Sequence, residues 1–133
     1  MRKALVLMTL AAALLVAACG SSSSLTGHTW QWTAATEKVP ASQSVVPDPQ
    51  NYTIEFKSDG TYAMKADCNT ISGAYTTSGS SLTIQPGAGT LVACAPESLD
   101  ALYTQQIFTT VSYAIAGGQL VLTQSNEGTM TFK

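Results

Sequence analysis

The chain has 133 residues, of which 45% are hydrophobic and 11% charged, and this size and composition are typical of one small domain. Two of its six basic residues, Arg2 and Lys3, stand at the amino terminus, so residues 19–133 keep four lysines against eight acidic residues. The resulting charge of about −4, without any arginine, argues against electrostatic binding of nucleic acid.

The first 18 residues have the layout of a secretory signal peptide. Arg2 and Lys3 form a short positive region, and Thr9 is the only polar residue in the apolar run of residues 4–18. This run is shorter than the roughly 20 residues that a membrane-spanning helix needs. We therefore predict that residues 1–18 are a signal peptide that is cleaved rather than a membrane span.

The end of this leader, Leu15-Val16-Ala17-Ala18-Cys19, resembles the lipobox of bacterial lipoproteins. The resemblance implies cleavage before Cys19, a diacylglyceryl thioether on its sulfur, and a further acyl chain such as palmitate on the new amino terminus. Two or three acyl chains anchor a protein stably, so residues 19–24 would be a lipidated, flexible tether. The alternative is an ordinary signal peptide cut near Ala17 or Ala18, which would leave Cys19 as a free thiol.

The residue after Cys19 bears on where such a lipoprotein would reside. The absence of aspartate there resembles the pattern that Gram-negative cells sort to the outer membrane, facing the periplasm. In other bacteria the domain would lie on the outer face of the cell membrane. The predicted partners are the membrane, which the lipid anchor at Cys19 would enter, and another protein of the cell envelope.

Two further cysteines, Cys68 and Cys94, lie 26 positions apart in the predicted exported domain. An even number of cysteines in an oxidising compartment indicates a disulfide. Neither cysteine has the nearby Cys or His residues of a zinc site or of a C-x-x-C redox motif. A structural disulfide between them is the favoured interpretation, and two separately buried thiols are the alternative.

Alternation of apolar and polar residues predicts antiparallel strands along most of residues 29–133. Turn residues such as Asp59-Gly60, Gly79 and Gly117-Gly118 separate the alternating segments. The sequence thus predicts a strongly curved antiparallel sheet of about seven or eight short strands, closed as a half-barrel or barrel. The alternating apolar positions are Trp30 and Trp32, Ile54 and Phe56, Tyr62, Met64 and Ala66, Leu82 and Ile84, Tyr113 and Ile115, Leu120 and Leu122, and Met130 and Phe132.

One segment, residues 96–111, has helical periodicity instead. Pro96 suits the first turn of a helix, and the acidic side chains of Glu97 and Asp100 would stabilise its amino-terminal end. We expect this helix to cover the open side of the sheet, which makes the fold class α+β. The apolar residues that recur every three or four positions are Leu99, Leu102, Tyr103, Ile107 and Val111.

Residues 34–51 contain Pro40, Pro47 and Pro49, and we predict a proline-rich loop at residues 36–50. Compact domains rarely contain so long a loop without a function. The segment is interpreted as a solvated insertion or, alternatively, as a partner-binding loop.

Several motifs recur in a characteristic order along residues 25–133. They are Leu25-Thr26-Gly27-His28-Thr29-Trp30, Tyr52-Thr53-Ile54-Glu55-Phe56 with Asp59-Gly60, Cys68-Asn69 with Gly73 and Tyr75, Thr90-Leu91-Val92-Ala93-Cys94, Leu99, and Leu120-Val121-Leu122. In this order they resemble the META domain family of the heat-inducible HslJ type. The resemblance implies an α+β half-barrel in which Cys68 and Cys94 pair, residence in the cell envelope, and a link to stress or antibiotic tolerance. The family has no assigned reaction and therefore provides no catalytic residues.

The side chains available for catalysis or metal binding are few, and we predict no catalytic, cofactor-binding or metal-binding residues. His28 is the only histidine, and a surface position explains it better than a role as general base. Asp67 and Asn69 flank Cys68 but lack the spacing of a calcium loop, and Asn69 is expected to satisfy backbone groups in a turn.

The predicted function is that of a lipid-anchored, non-enzymatic envelope domain, an accessory or stress-response lipoprotein that binds or scaffolds another component. The alternative is a half-barrel that binds a small hydrophobic ligand or a lipid. That alternative requires a cavity between helix and sheet. Trp30 and Trp32 could line such a site as an aromatic platform, although alternating aromatic residues in a strand favour the core.

Overall fold

The computed structural model describes residues 24–133, which form ten strands, one α-helix and a short 3-10 helix. The predicted signal peptide, the anchor at Cys19 and all of the tether except Ser24 lie outside the described residues. The elements are β1 (Thr29–Lys38), β2 (Ala41–Val45), the 3-10 helix (Pro49–Asn51), β3 (Tyr52–Phe56), β4 (Thr61–Ala66), β5 (Asn69–Ser78), β6 (Ser81–Ile84), β7 (Ala88–Gly89), α1 (Asp100–Ile107), β8 (Thr110–Ala116), β9 (Gln119–Gln124) and β10 (Thr129–Phe132).

Eight of these strands close into an antiparallel barrel in the order β10-β9-β8-β6-β5-β4-β3-β1, and β1 pairs with β10 to complete the ring. Strand β2 extends the sheet outward from β1, and β7 pairs with β5 outside the ring. The predicted strongly curved antiparallel sheet with one helix is confirmed. Because the ring is closed, its eight strands leave few free edges.

The alternation in the sequence places every second side chain inside the barrel. Ile54 and Phe56 on β3 and Leu120 and Leu122 on β9 are fully buried, as the pattern predicts. The tight turn at Asp59-Gly60 joins β3 to β4, and Gly60 has a φ of 84°, a conformation that glycine adopts without strain.

Aromatic rings fill the centre of the core, beneath the helix. The ring of Trp32 stacks on that of Tyr103 with 5.3 Å between centroids, and Tyr52 meets both rings edge-on at 5.8 Å. Phe132 adds a fourth ring, 6.4 Å from Tyr103. The prediction that the tryptophans belong to the core is confirmed, since Trp30 and Trp32 are both buried.

The helix is shorter than predicted. It spans Asp100–Ile107 only, and the end of the predicted segment, including Val111, belongs to strand β8. Tyr103 and Ile107 point into the core, whereas Leu102 and Val111 are 38% and 48% exposed. The apolar spacing continues past Phe108 because Val111, the second residue of β8, falls four positions after Ile107, as the next residue of a helical stripe would.

The first turn of the helix also differs from the prediction. Pro96 and Glu97 lie before the helix and are exposed, so only Asp100 stands where the positive end of the helix dipole attracts an acidic side chain.

The predicted proline-rich loop at residues 36–50 is largely a β-hairpin. Strand β1 continues to Lys38, a turn at Val39-Pro40 reverses the chain, and β2 pairs with β1 from Lys38↔Ala41 to Ala34↔Val45. The sequence did not reveal β2 because all five of its residues are exposed, so no burial-driven alternation marks it.

Within residues 24–133, the longest helix has eight residues, and none is long and apolar enough to cross a membrane.

The hydroxyl group of Tyr103 gives the first testable prediction. It is buried and has no hydrogen-bond partner among the residues that the structure describes. Because an unpaired buried hydroxyl is unfavourable, Tyr103→Phe is expected to raise the free energy of unfolding by about 1 kcal/mol. Urea unfolding at neutral pH measures this change, with the half-buried Tyr113→Phe as the matched control. A loss of stability in Tyr103→Phe would contradict the prediction.

The same residue predicts the direction of the alkaline response. Burial raises the pKa of Tyr103 well above its ordinary value of 10.0. Above pH 10 the unfolded chain releases this proton while the folded chain retains it, so stability is intact below that pH and falls as the pH rises. The fall should be shallower in Tyr103→Phe than in the native chain.

Candidate functional site

The structure joins the Sγ atoms of Cys68 and Cys94 in a disulfide, with a Cα–Cα distance of 5.7 Å. Cys68 lies in the turn between β4 and β5, and Cys94 lies in the irregular segment that leads to the helix. The bond therefore fixes this segment to one end of the barrel wall.

The side chain of Asn69 holds the same segment a few residues earlier. Its amide nitrogen donates to the carbonyl oxygen of Val92 at 3.0 Å, and its oxygen accepts from the Val92 N–H at 2.9 Å. The oxygen also accepts from the hydroxyl of Thr90 at 3.0 Å. Asn69 is buried, and its amide pairs with residue 92 much as a neighbouring strand would.

This role of Asn69 corrects the expectation from the sequence. Asn69 does not serve its own turn; it satisfies backbone groups 23 residues away. The turn itself is made by Asp67, whose φ is 55°. No signal within a single sequence links Asn69 to Val92, since the two residues are 23 positions apart and meet only in the folded chain.

Glycines allow the preceding residues to lie flat against β5. A Cβ atom on Gly89 would overlap the carbonyl oxygen of Thr70, and one on Gly87 would overlap that of Ser72. The hydroxyl of Tyr62 donates to the carbonyl oxygen of Gln85 at 2.7 Å. The chain is thus held on the barrel from residue 85 to the disulfide.

Two apolar residues, Leu91 and Val92, are exposed in the middle of the segment that is held against the barrel. Leu91 is 94% exposed and Val92 is 59% exposed, although Thr90, Val92 and Cys94 are all held in place. We call residues 90–94 the Leu91 segment. Beside it lies a groove of about 420 Å³, lined by Leu91, by Thr104 of the helix and by Phe108, which follows the helix.

A second concavity, the β2 groove, lies between β2 and the start of the helix and has a volume of about 380 Å³. The exposed side chains of Val45 and Leu102 line it, and Trp32 and Tyr52 of the core contribute to its lining. The sequence did not predict this groove, because Val45 falls in the segment interpreted as a loop and Leu102 in the stripe expected to be buried.

The titratable side chains considered in the sequence lie at the surface or at the start of the helix in the described part of the chain. His28 is exposed, and its ring lies 5.1 Å from that of Trp30. Glu97 is exposed, while Asp100 lies in the first turn of the helix. Among residues 24–133, no group of three or more His, Cys, Asp or Glu side chains could hold a metal ion.

The hydrogen bonds of Asn69 lead to the second testable prediction. Asn69→Ala removes the side-chain bonds to Thr90 and Val92 and a longer one to the Sγ of Cys94, and it leaves the Val92 backbone groups without these partners. We expect the free energy of unfolding to fall by about 2 kcal/mol. Hydrogen exchange at the Val92 amide should become faster at the same time.

The matched control is Asn126→Ala, in the exposed turn before Gly128, where the side chain accepts one backbone hydrogen bond at 3.0 Å. Equal effects of the two substitutions, or unchanged exchange at Val92 in Asn69→Ala, would show that Asn69 does not hold the segment.

Comparisons with known proteins agree with this architecture. An NMR structure of a protein from Burkholderia xenovorans matches with a TM-score of 0.63 and 23% identity, over 82% of each chain. A crystal structure of a DUF4847 family protein from Bacteroides vulgatus ATCC 8482 matches with a TM-score of 0.61 and 15% identity, over 81% of this chain and 92% of that one. At these identities the likeness shows the fold alone. No curated protein matches the chain significantly.

The family comparison covers almost all of the described structure. The sequence model of the META domain matches residues 23–133, which include the whole barrel, the helix and both cysteines of the disulfide. The resemblance inferred from the motifs is confirmed, and the chain belongs to the META domain family.

Proposed function

We propose that this META domain is a lipid-anchored, non-enzymatic part of the cell envelope that binds another envelope component as an accessory or stress-response scaffold. The observation that carries the proposal is the exposure of Leu91 on a segment that the disulfide and Asn69 hold in place. The Leu91 segment would be the binding surface.

Exposed apolar side chains usually lie on mobile chain or mark a contact surface. Here Leu91 stands between two fixed residues, Thr90 and Val92, so a partner would order little additional chain on binding. A surface that is already ordered loses less conformational entropy when it associates. The disulfide would therefore serve recognition as well as stability.

The interior of the barrel favours this proposal over the ligand-binding alternative. Five large apolar residues of the barrel interior are buried in one cluster, and a sixth, Leu99, packs against it. A small hydrophobic ligand would therefore have to use a surface groove. The five buried residues are Trp30, Phe56, Tyr62, Leu82 and Leu120.

The proposed lipid anchor and the proposed cellular compartment are inferred mainly from the sequence. The lipobox-like run before Cys19 supports lipidation, and a disulfide in the domain is in keeping with an oxidising compartment. The link to stress rests on the resemblance to HslJ-type META domains. The exposure of His28 and Glu97, and the position of Asp100 in the first turn of the helix, support a non-enzymatic role.

Photocrosslinking of the full-length protein in its own cells tests the proposal. A photoreactive amino acid at position 91 should give a discrete crosslinked product in the membrane fraction. The matched control is the same amino acid at position 111, where Val111 is also exposed but lies on a barrel strand. Absence of a product at position 91, or an identical product at both positions, would contradict the proposal.

A further inference from the structure

Strand β2 presents an unpaired edge. It pairs with β1 on one side, and it ends the sheet order among residues 24–133. The N–H of Val46 donates to the carbonyl oxygen of Thr33 on β1 at 2.9 Å. Since backbone groups alternate in direction along a strand, those of Gln43 and Val45 point away from β1, toward the free edge.

This edge lacks most of the features that usually protect a sheet from pairing with another chain. Residues 41–45 contain no charged side chain and no proline, and the pairing of β2 with β1 has no bulge. Natural edge strands commonly carry one of these features, because unpaired N–H and C=O groups are a template for a further strand. Strand β2 is therefore open to strand addition.

The β2 groove adjoins the same edge. Ser44 and Val45 of β2 form one side of it, and Leu99 and Leu102 lie in its lining from the helix side. Side chains of an added strand would alternate between the two faces, so every second one would point toward this groove. Main-chain bonding combined with a side-chain pocket is the known mode of strand-addition recognition.

The charges around the groove indicate the chemistry of the partner. Asp48 and Glu97 belong to its lining, which contains no lysine. Glu37 lines the neighbouring concavity between β1 and the helix. A second copy of this chain would bring two acidic rims together, and anionic lipid would be repelled. A segment with basic residues would be attracted.

We propose that the free edge of β2 and the β2 groove bind an extended segment of another protein, with alternating apolar and basic residues, by β-strand addition. Its main chain pairs with Gln43 and Val45, its apolar side chains enter the groove, and its basic side chains meet Asp48 and Glu97. This surface is distinct from the Leu91 segment and constitutes a second binding site.

The test uses the full-length protein in detergent micelles and a peptide of alternating valine and lysine residues. Binding should slow hydrogen exchange at the amides of Gln43 and Val45 by about tenfold at saturation. It should also change the fluorescence of the tryptophans, since Trp32 lines the groove. A peptide of alternating valine and glutamate should produce neither effect.

Matched variants test whether the valine-lysine peptide binds at this surface. Leu102→Lys should weaken binding of the valine-lysine peptide by about tenfold or more, because it removes an apolar contact and repels lysine. Val111→Lys changes the net charge equally on an exposed β8 residue and should bind as the native chain does. Leu91→Ser should also leave peptide binding unchanged.

Three results would overturn the inference. One is equal protection of β2 by the lysine and glutamate peptides. Another is protection that appears without peptide as the protein concentration rises, which would assign the edge to a second copy. The third is protection by neutral phospholipid vesicles alone, which would assign it to a membrane. None of these outcomes bears on crosslinking at position 91, so the two proposals fail independently.

Discussion

Trp32→Ala is expected to lower the free energy of unfolding by about 4 kcal/mol. Trp32 is 1% exposed and stacks on Tyr103 beneath the helix, so its removal leaves a cavity where β1, β3 and the helix meet. Its indole N–H also donates to the carbonyl oxygen of Ala34 at 2.9 Å. Chemical denaturation followed by far-ultraviolet circular dichroism measures the change without relying on tryptophan emission.

Two further variants make this result interpretable. Trp32→Phe keeps an aromatic ring in the core and should lose clearly less stability than Trp32→Ala. Leu91→Ala removes an exposed apolar side chain and should change stability by less than about 0.5 kcal/mol. Similar losses in Trp32→Ala and Leu91→Ala would contradict the assignment of Trp32 to the centre of the core.

Replacement of both Cys68 and Cys94 with alanine is expected to lower the free energy of unfolding by about 3 kcal/mol. The disulfide closes a sequence separation of 26 residues, so its loss enlarges the unfolded ensemble. The loss should be accompanied by faster hydrogen exchange in the Leu91 segment, because the covalent attachment of this segment to the barrel is gone. Denaturation under non-reducing conditions measures the stability change.

Chemical reduction of the disulfide provides the matched control for the double alanine substitution. A reducing agent should lower the stability of the native chain by a comparable amount and should leave the double alanine variant unchanged. Native stability that does not respond to complete reduction would show that the disulfide contributes nothing to the fold. Unchanged hydrogen exchange in residues 90–94 of the double alanine variant would show that the disulfide does not hold the Leu91 segment in place.

Most of the barrel could be predicted from the sequence because its strands are buried on one face only. Ile54 and Phe56, or Leu120 and Leu122, alternate with polar residues and so reveal both the strand and its buried side. Family motifs added the overall topology. Closure of the ring depends on the pairing of β1 with β10, which lie at opposite ends of the domain, and no local pattern reports it.

The sequence predicts the structure less well where the burial of a residue does not follow from the local hydrophobic pattern. Strand β2 is exposed on both faces, so its sequence lacks the alternation of apolar and polar residues that predicts a strand, and it resembles a loop. Leu102 fitted the helical stripe but faces the β2 groove. The side-chain bonds of Asn69 join positions far apart in the chain, and the exposure of Leu91 follows from them. Both candidate surfaces therefore arise from tertiary contacts.

We propose that the domain is exported and anchored by lipid at Cys19, and the structure joins Cys68 to Cys94 by a disulfide. Intact-mass measurement and peptide mapping of the protein from its own membranes, under non-reducing conditions, test both features at once. We expect an amino-terminal peptide that begins at acylated Cys19 and a crosslinked pair of peptides that contain Cys68 and Cys94. An unmodified Cys19 together with free thiols at positions 68 and 94 would contradict this expectation.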